Sequence, residues 1–151
     1  KRKYSWRYIE RACDLISRRV EDLGIDRIIG LSRGGLVPAT ILANNLNVRE
    51  VYSIGVASYD DRSNTPGVMN TYQRLPSNAP GFSRGDNVLI VDDISDKGKT
   101  FEHVYNLTES QHDCMLYTAS IFIKPKTKHT PDFYHSQVPE DQWVVFPWER
   151  T

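Results

Sequence analysis

The sequence predicts an α/β protein built on a central, mostly parallel sheet with flanking helices, and three observations carry that prediction. Val88-Leu89-Ile90-Val91 is apolar without alternation, the pattern of a strand covered on both faces. Arg27-Ile28-Ile29-Gly30-Leu31 reads as a second short strand that runs directly into a glycine loop and a helix. Strands then alternate with helices along the chain, which implies right-handed crossovers and parallel pairing. Ligands in such sheets bind beyond the carboxyl ends of the strands, so chemistry is expected at positions 92–100, where Asp92, Asp93, Asp96 and Gly98-Lys99-Thr100 follow the apolar run.

Taken in order, Ser5 caps a helix over residues 6–23, whose apolar positions Ile9, Ala12, Cys13, Ile16, Val20 and Leu23 recur at spacings of three and four before Gly24. The strand at 27–31 is followed by Ser32-Arg33-Gly34-Gly35-Leu36-Val37-Pro38 and a helix to about position 46, with Pro38 in its first turn. A strand is expected at 51–57. Residues 58–85 are rich in turn signals, including Pro66-Gly67, Ser77-Asn78 and Pro80-Gly81, and loops longer than about 12–15 residues are usually functional, so a lid is expected there. The strand at 88–91, a helix at 100–110 and a strand at 117–123 complete the regular elements. An aromatic segment, Gln142-Trp143-Val144-Val145-Phe146-Pro147-Trp148-Glu149, lies near the end. No repeat, low-complexity tract or linker divides the chain, so one domain is expected over residues 1–151.

Composition narrows the function classes. Lys plus Arg and Asp plus Glu each number 19, so the net charge of zero advertises no nucleic-acid partner. The basic start, Lys1-Arg2-Lys3 with Arg7, reads as a solvated end. No apolar run approaches the roughly 18 residues of a membrane span and no signal-peptide pattern is visible, so a cytoplasmic protein without a membrane partner is expected. Cys13 and Cys114 have no metal-binding partner at short spacing, and Cys13 belongs to the apolar helix face. The four histidines, His103, His112, His129 and His135, are scattered, so no zinc site is expected. No serine sits in a G-x-S-x-G elbow.

Two familiar loops are excluded at positions 92–100 by spacing. A Walker-type phosphate loop needs a glycine five positions before Gly98, where Asp93 stands. A calcium loop starting at Asp93 would place Lys97 at its fifth position and Val104 at its twelfth, where a bidentate Glu belongs. What remains, a hydrophobic strand, Asp-Asp, two residues, Asp-x-Gly-x-Thr, resembles the phosphoribosyl pyrophosphate (PRPP) motif of the type I phosphoribosyltransferases, with Lys97 in place of the usual first threonine. Ser-Arg-Gly-Gly-Leu-Val-Pro at positions 32–38 matches the bacterial xanthine-guanine phosphoribosyltransferases at every residue.

That resemblance implies the type I phosphoribosyltransferase fold with a flexible lid at about 58–85, beginning with Ser58-Tyr59, and a small C-terminal hood at about 124–149. It implies transfer of the 5-phosphoribosyl group from PRPP to a 6-oxopurine base, with Mg2+ as cofactor, in a homo-dimer or homo-tetramer. Ser32, Arg33, Gly34 and Gly35 would hold pyrophosphate, with Arg33 supplying charge. A cis peptide is expected between Ser32 and Arg33. Asp96, Lys97, Gly98, Lys99 and Thr100 would cradle a phosphate at a helix start, where free N–H groups and the helix dipole favour an anion. Lys97 cannot copy a threonine hydroxyl but adds a point charge. Asp92 and Asp93 would accept ribose hydroxyls or hold the metal, and Asp96 would take or share the proton at purine N7. Lys124 would read the 6-oxo group, Trp143 would stack on the base, and Val144 would supply backbone contacts. Arg62 and Arg74 are both candidates for a basic lid residue on pyrophosphate. Two alternatives stay open: a phosphoribosyltransferase for another base, and a non-catalytic sensor of PRPP or nucleotides.

Overall fold

The computed structural model describes residues 1–58, 68–76, 82 and 85–150. The Ser5 hydroxyl accepts the Tyr8 N–H at 3.1 Å and so starts α1, Trp6–Val20. A 3-10 turn, Glu21–Leu23, continues it to Gly24, whose φ of 61° ends the helix in the left-handed region. The apolar stripe of α1 is buried: Ile9, Ala12, Cys13 and Val20 have no exposed surface.

The first strand, β1 (Arg2–Lys3), precedes α1; after it come β2 (Arg27–Ser32), α2 (Leu36–Leu46), β3 (Glu50–Ser58), β4 (Met69–Gln73) and β5 (Asn87–Ser95). The chain continues through α3 (Lys99–Gln111), β6 (Met115–Ile123), β7 (Phe133–Gln137) and β8 (Val144–Val145). Six strands form the main sheet in the order β4-β3-β2-β5-β6-β7, parallel except for the β3/β4 pair. From β2 the chain moves first to one side of the sheet and then, at β5, to the other, so the strand order reverses between β2 and β5. Gly30 pairs with Val91 there, and both strand ends open into one crevice.

Both faces of the sheet are covered, which is why β5 does not alternate. Leu89 and Val91 pack with Ile28, Ile121 and the helices α1 and α2, while Val88 and Ile90 pack with Ile29, Leu31 and Phe101 and Val104 of α3. Among the described residues no helix is long and apolar enough to cross a membrane.

The structure departs from the sequence-based expectation at four places. The strand expected to end at Val91 runs on to Ser95, because β6 continues beside it with Asp92 opposite Ser120 and Ser95 opposite Ile123. Part of the stretch at 58–85 is built into the fold: β4 pairs with β3, and Leu75 and Phe82 are buried in the core. Tyr59 and Arg62 lie outside the described residues; Arg74 is described and exposed. The N-terminal end, expected as solvated, keeps its side chains exposed but pairs its backbone with β8. β7 was not expected at all; its polar His135, Ser136 and Gln137 stay in a strand because β6 offers them an edge.

Candidate active site

The site lies where the sheet order reverses. The Ser32–Arg33 peptide, at the exit of β2, is cis. Arg33 is exposed, and the loop turns back sharply, with the Gly35 N–H donating to Leu31 O at 2.8 Å. Two glycines are required by close approach. A β-carbon on Gly34 would strike the Asp93 carboxylate, and one on Gly35 would strike the carbonyls of Val91 and Leu31. The glycine loop therefore sits directly against the end of β5.

Asp92 and Asp93 end that strand side by side and, because neighbouring strand residues point to opposite faces, serve two different cavities. Asp92 lines a cavity of about 220 Å³ with Asp96, Lys97, Lys99 and Thr100, together with Val56 and Met69. Asp93 lines a larger one of about 970 Å³ with Arg33, Gly34, Trp143, Trp148 and Glu149. The Asp93 N–H donates to Asp92 Oδ1 at 2.8 Å and the Ile94 N–H to Asp93 Oδ1 at 2.7 Å, which fixes both carboxylates. Burial pushes the Asp92 carboxyl well above its ordinary range, and the neighbouring Asp93 charge pushes the same way. Burial likewise raises Asp93 to about 6, against the lowering effect of the hydrogen bonds it accepts.

Gly98, at φ 85°, forms the turn into α3, and no side chain caps that helix. Its first N–H groups, at Lys99, Thr100 and Phe101, thus face the smaller cavity as free donors, the arrangement that suits a phosphate. A turn that the sequence did not single out props this loop from behind. The Lys128 N–H donates to Lys97 O at 3.0 Å, the Ser95 hydroxyl donates to His129 O at 2.7 Å, and a β-carbon on Gly98 would collide with His129 N. Burial holds the His129 imidazole below its ordinary range, stacked on Phe101 at 5.0 Å.

The hood completes the larger cavity. Trp143 is 67% exposed and faces it. Trp148 lies flat on Phe146, with ring centroids 4.7 Å apart, and is packed as well as cavity-lining. Arg2 N–H donates to Trp143 O at 2.9 Å and Tyr4 N–H to Val145 O at 3.0 Å. By the alternation of a parallel ladder, the intervening Val144 turns its own N–H and C=O away from β1. Lys124 lines neither cavity. Its ammonium is buried and donates to the backbone carbonyls of Pro139 at 3.0 Å, Glu140 at 2.9 Å and Gln142, so all three of its N–H donors hold the hood in place. Glu149, the last residue of the aromatic segment, and Lys1 also line the larger cavity, and neither is among the site residues expected from the sequence.

The family described as phosphoribosyl transferase domain matches residues 5–150. The chain is 34% identical over 151 residues to a xanthine-guanine phosphoribosyltransferase of Cereibacter sphaeroides, covering 96% of this chain and 84% of that protein. A purine phosphoribosyltransferase from Pyrococcus horikoshii Ot3 has the same fold, with a TM-score of 0.85 at 30% identity over 99% of this chain and 95% of the other. A hypothetical protein from Neisseria gonorrhoeae with bound ppGpp follows at a TM-score of 0.82 and 27% identity, over 99% and 90%.

Proposed function

The chain belongs to the phosphoribosyl transferase domain family, and from that premise we propose that it transfers the 5-phosphoribosyl group of PRPP to a 6-oxopurine, namely guanine, xanthine or hypoxanthine, in purine salvage. The observation that carries this reading is the division of Asp92 and Asp93 between a small cavity walled by a helix start and a large one walled by the glycine loop and an open indole. A substrate with a phosphate at one end, a ribose at the junction and a pyrophosphate beside a flat base matches that division. The whole chain serves as one domain.

The 5-phosphate binds Asp96 to Thr100 through backbone N–H groups and the Thr100 hydroxyl, with Lys97 and Lys99 as point charges. Two ribose hydroxyls donate to the Asp92 and Asp93 carboxylates. Pyrophosphate lies on Ser32 to Gly35, where Arg33 meets its charge. The two raised carboxyls favour a nearby cation. Among the described residues no group of three or more His, Cys, Asp or Glu side chains could hold a metal ion, so most ligands would come from the substrate, as Mg2+ prefers. Asp93 and Asp92 would hold it, and Mg2+ supplies neutralisation of the charge that develops on departing pyrophosphate.

In the transfer, the bond between C1 and the pyrophosphate oxygen breaks, its electron pair leaves with pyrophosphate, and a purine nitrogen bonds C1. For Asp96, which lines the smaller cavity, to take or share the proton at purine N7, the reacting edge of the base must lie at the junction of the two cavities; the carboxylates offset the oxocarbenium character of the sugar. Trp143 stacks on the base and Val144 offers backbone groups to its edge. Lys124 reads the 6-oxo group by giving up one of its three carbonyl acceptors. A donor there disfavours adenine, which would bring an amino group. The cytoplasm is the compartment, and a homo-dimer or homo-tetramer the assembly, that accompany this reading.

The test is pyrophosphate release from PRPP and Mg2+ with guanine, xanthine, hypoxanthine, adenine, uracil and orotate offered separately, and Asp96→Asn as control. Turnover confined to the 6-oxopurines and lost in the control is expected; turnover with uracil or orotate would remove the assignment of Lys124. A second reading, a nucleotide sensor, is favoured by the Neisseria relative that binds ppGpp. Binding of PRPP or a guanosine nucleotide without turnover of any base would select it.

A further inference from the structure

We infer that Tyr72 is a positioning residue for the PRPP site, aimed by a β-bulge across Gly55 onto Ser32 so that it holds the first residue of the glycine loop. The inference rests on the phosphoribosyltransferase reading and extends it to a strand that neither motif includes.

The aim is set by the backbone. In the antiparallel β3/β4 pair, Val56 stands opposite Thr71 but Gly55 stands opposite Gln73, which leaves Tyr72 as the extra residue of a bulge. A bulge re-aims the side chain it carries. The Tyr72 ring is directed over Gly55, where any β-carbon would overlap the ring. A tyrosine that is 55% exposed gains little from burial, so its position must be read from what its hydroxyl does. That hydroxyl lies 2.9 Å from Ser32 Oγ and 3.4 Å from Ser32 O, and Ser32 Oγ is in turn 3.4 Å from Ile54 O. The phenol has one proton for two acceptors of Ser32; the shorter contact has it donating to Ser32 Oγ, which leaves the serine proton for Ile54 O.

The neighbouring residues of β4 reach the other half of the site. Thr71, on the opposite face, lies 2.8 Å through its hydroxyl from His103 Nε2 of α3, the helix that begins at the phosphate cradle. Met69 lines the cradle cavity itself. β4 thus touches the glycine loop through Tyr72 and helix α3 through Thr71.

The experiment compares the parent with Tyr72→Phe, Ser32→Ala and the double variant. It measures PRPP affinity with Mg2+ by calorimetry, KM for PRPP and for the base, kcat, and the thermal midpoint. Loss of one hydrogen bond that positions the loop should weaken PRPP binding by about three- to tenfold in Tyr72→Phe. The base KM, kcat and thermal midpoint should stay at the parent values, the pattern of lost uniform binding. Adding Tyr72→Phe to Ser32→Ala should cost less than Tyr72→Phe costs in the parent, since the shorter contact of the phenol is to the serine hydroxyl. Gly55→Val, which displaces the ring but keeps the hydroxyl, should reproduce the loss. PRPP affinity unchanged in Tyr72→Phe would overturn the inference, as would an equal rise in both KM values with a lowered midpoint. A parent that binds PRPP but turns over no base discards the enzyme reading alone, and the binding comparison still decides the role of Tyr72. A parent that does not bind PRPP removes both.

Discussion

The two ends of the cleft are built from different materials. At the end proposed to take the phosphates, two loops leave β2 and β5, central strands buried on both faces. At the end proposed to take the base stand side chains and one peptide edge on β8, a two-residue strand tied to β1, with Lys124 holding the segment at 139–142 that leads into it. Backbone donors set in a packed sheet cannot move without disturbing the core, which suits a constant phosphate. The hood adds Phe146 to the core but lies outside the six-stranded sheet, which suits the choice of a base in the proposed reaction. On the proposed function, binding strength and base selectivity are expected to reside in separable parts of the chain.

The sharpest way to break this comparison is Gly34→Ala. Its β-carbon would strike the Asp93 carboxylate, displacing either the glycine loop or Asp93. Displacements on the order of 1 Å cost roughly 100-fold, so kcat/KM for PRPP should fall by at least that much in steady-state assays, with circular dichroism unchanged. At the base end, Lys124→Met leaves three hood carbonyls without their donor. We expect the KM for the base to rise by about tenfold or more while calorimetric PRPP affinity holds, because uncompensated polar groups cost about 1–3 kcal/mol each. An equal loss of PRPP affinity would show that the two ends are not separable.

Trp143→Ala tests the same end more narrowly. Stacking is worth roughly 1–3 kcal/mol, so the base KM should rise by about tenfold with no loss of thermal stability, since the indole is 67% exposed. The smallest effect is on stability. Asp93 is raised from 3.8 to about 6, so the folded chain binds this proton more tightly than the unfolded one. The stability this confers is complete below pH 3.8 and is lost as pH rises through about 6. Above that pH the ionised carboxylate works against the ligand-free fold. Asp93→Asn should therefore raise the thermal midpoint at pH of about 7.5 by roughly 2–4 °C, the shift of about 1 kcal/mol in a chain of this size. It should also flatten the pH dependence measured by calorimetric scanning.

The phosphate end was legible because its signals are contiguous. Ser32-Arg33-Gly34-Gly35 and Asp92 to Thr100 are short segments in which residue type alone specifies a tight turn, free donors and carboxylates. The base end was legible only in part. Trp143 does face the larger cavity. The position of Lys124, turned into the hood, follows from carbonyls fifteen to eighteen residues away. β1, β4, β7 and β8 are two to five residues long and carry no periodic signature; each exists because a partner edge is present. The bulge at Tyr72 is invisible without the register of β3 against β4.

By itself the sequence determined the doubly covered strands, the helix start at Ser5 and its stop at Gly24, and the two glycine turns that open α2 and α3, because those depend on local periodicity, caps and glycine freedom. Only the tertiary structure decided that Asp92 and Asp93 serve two cavities, that Gly34 packs on Asp93, that the N-terminal strand supports the hood, and that Tyr72 reaches Ser32. Each of these joins residues distant in sequence or depends on where the sheet order reverses. Such contacts are selected by the packing of the whole chain, and no local pattern encodes them.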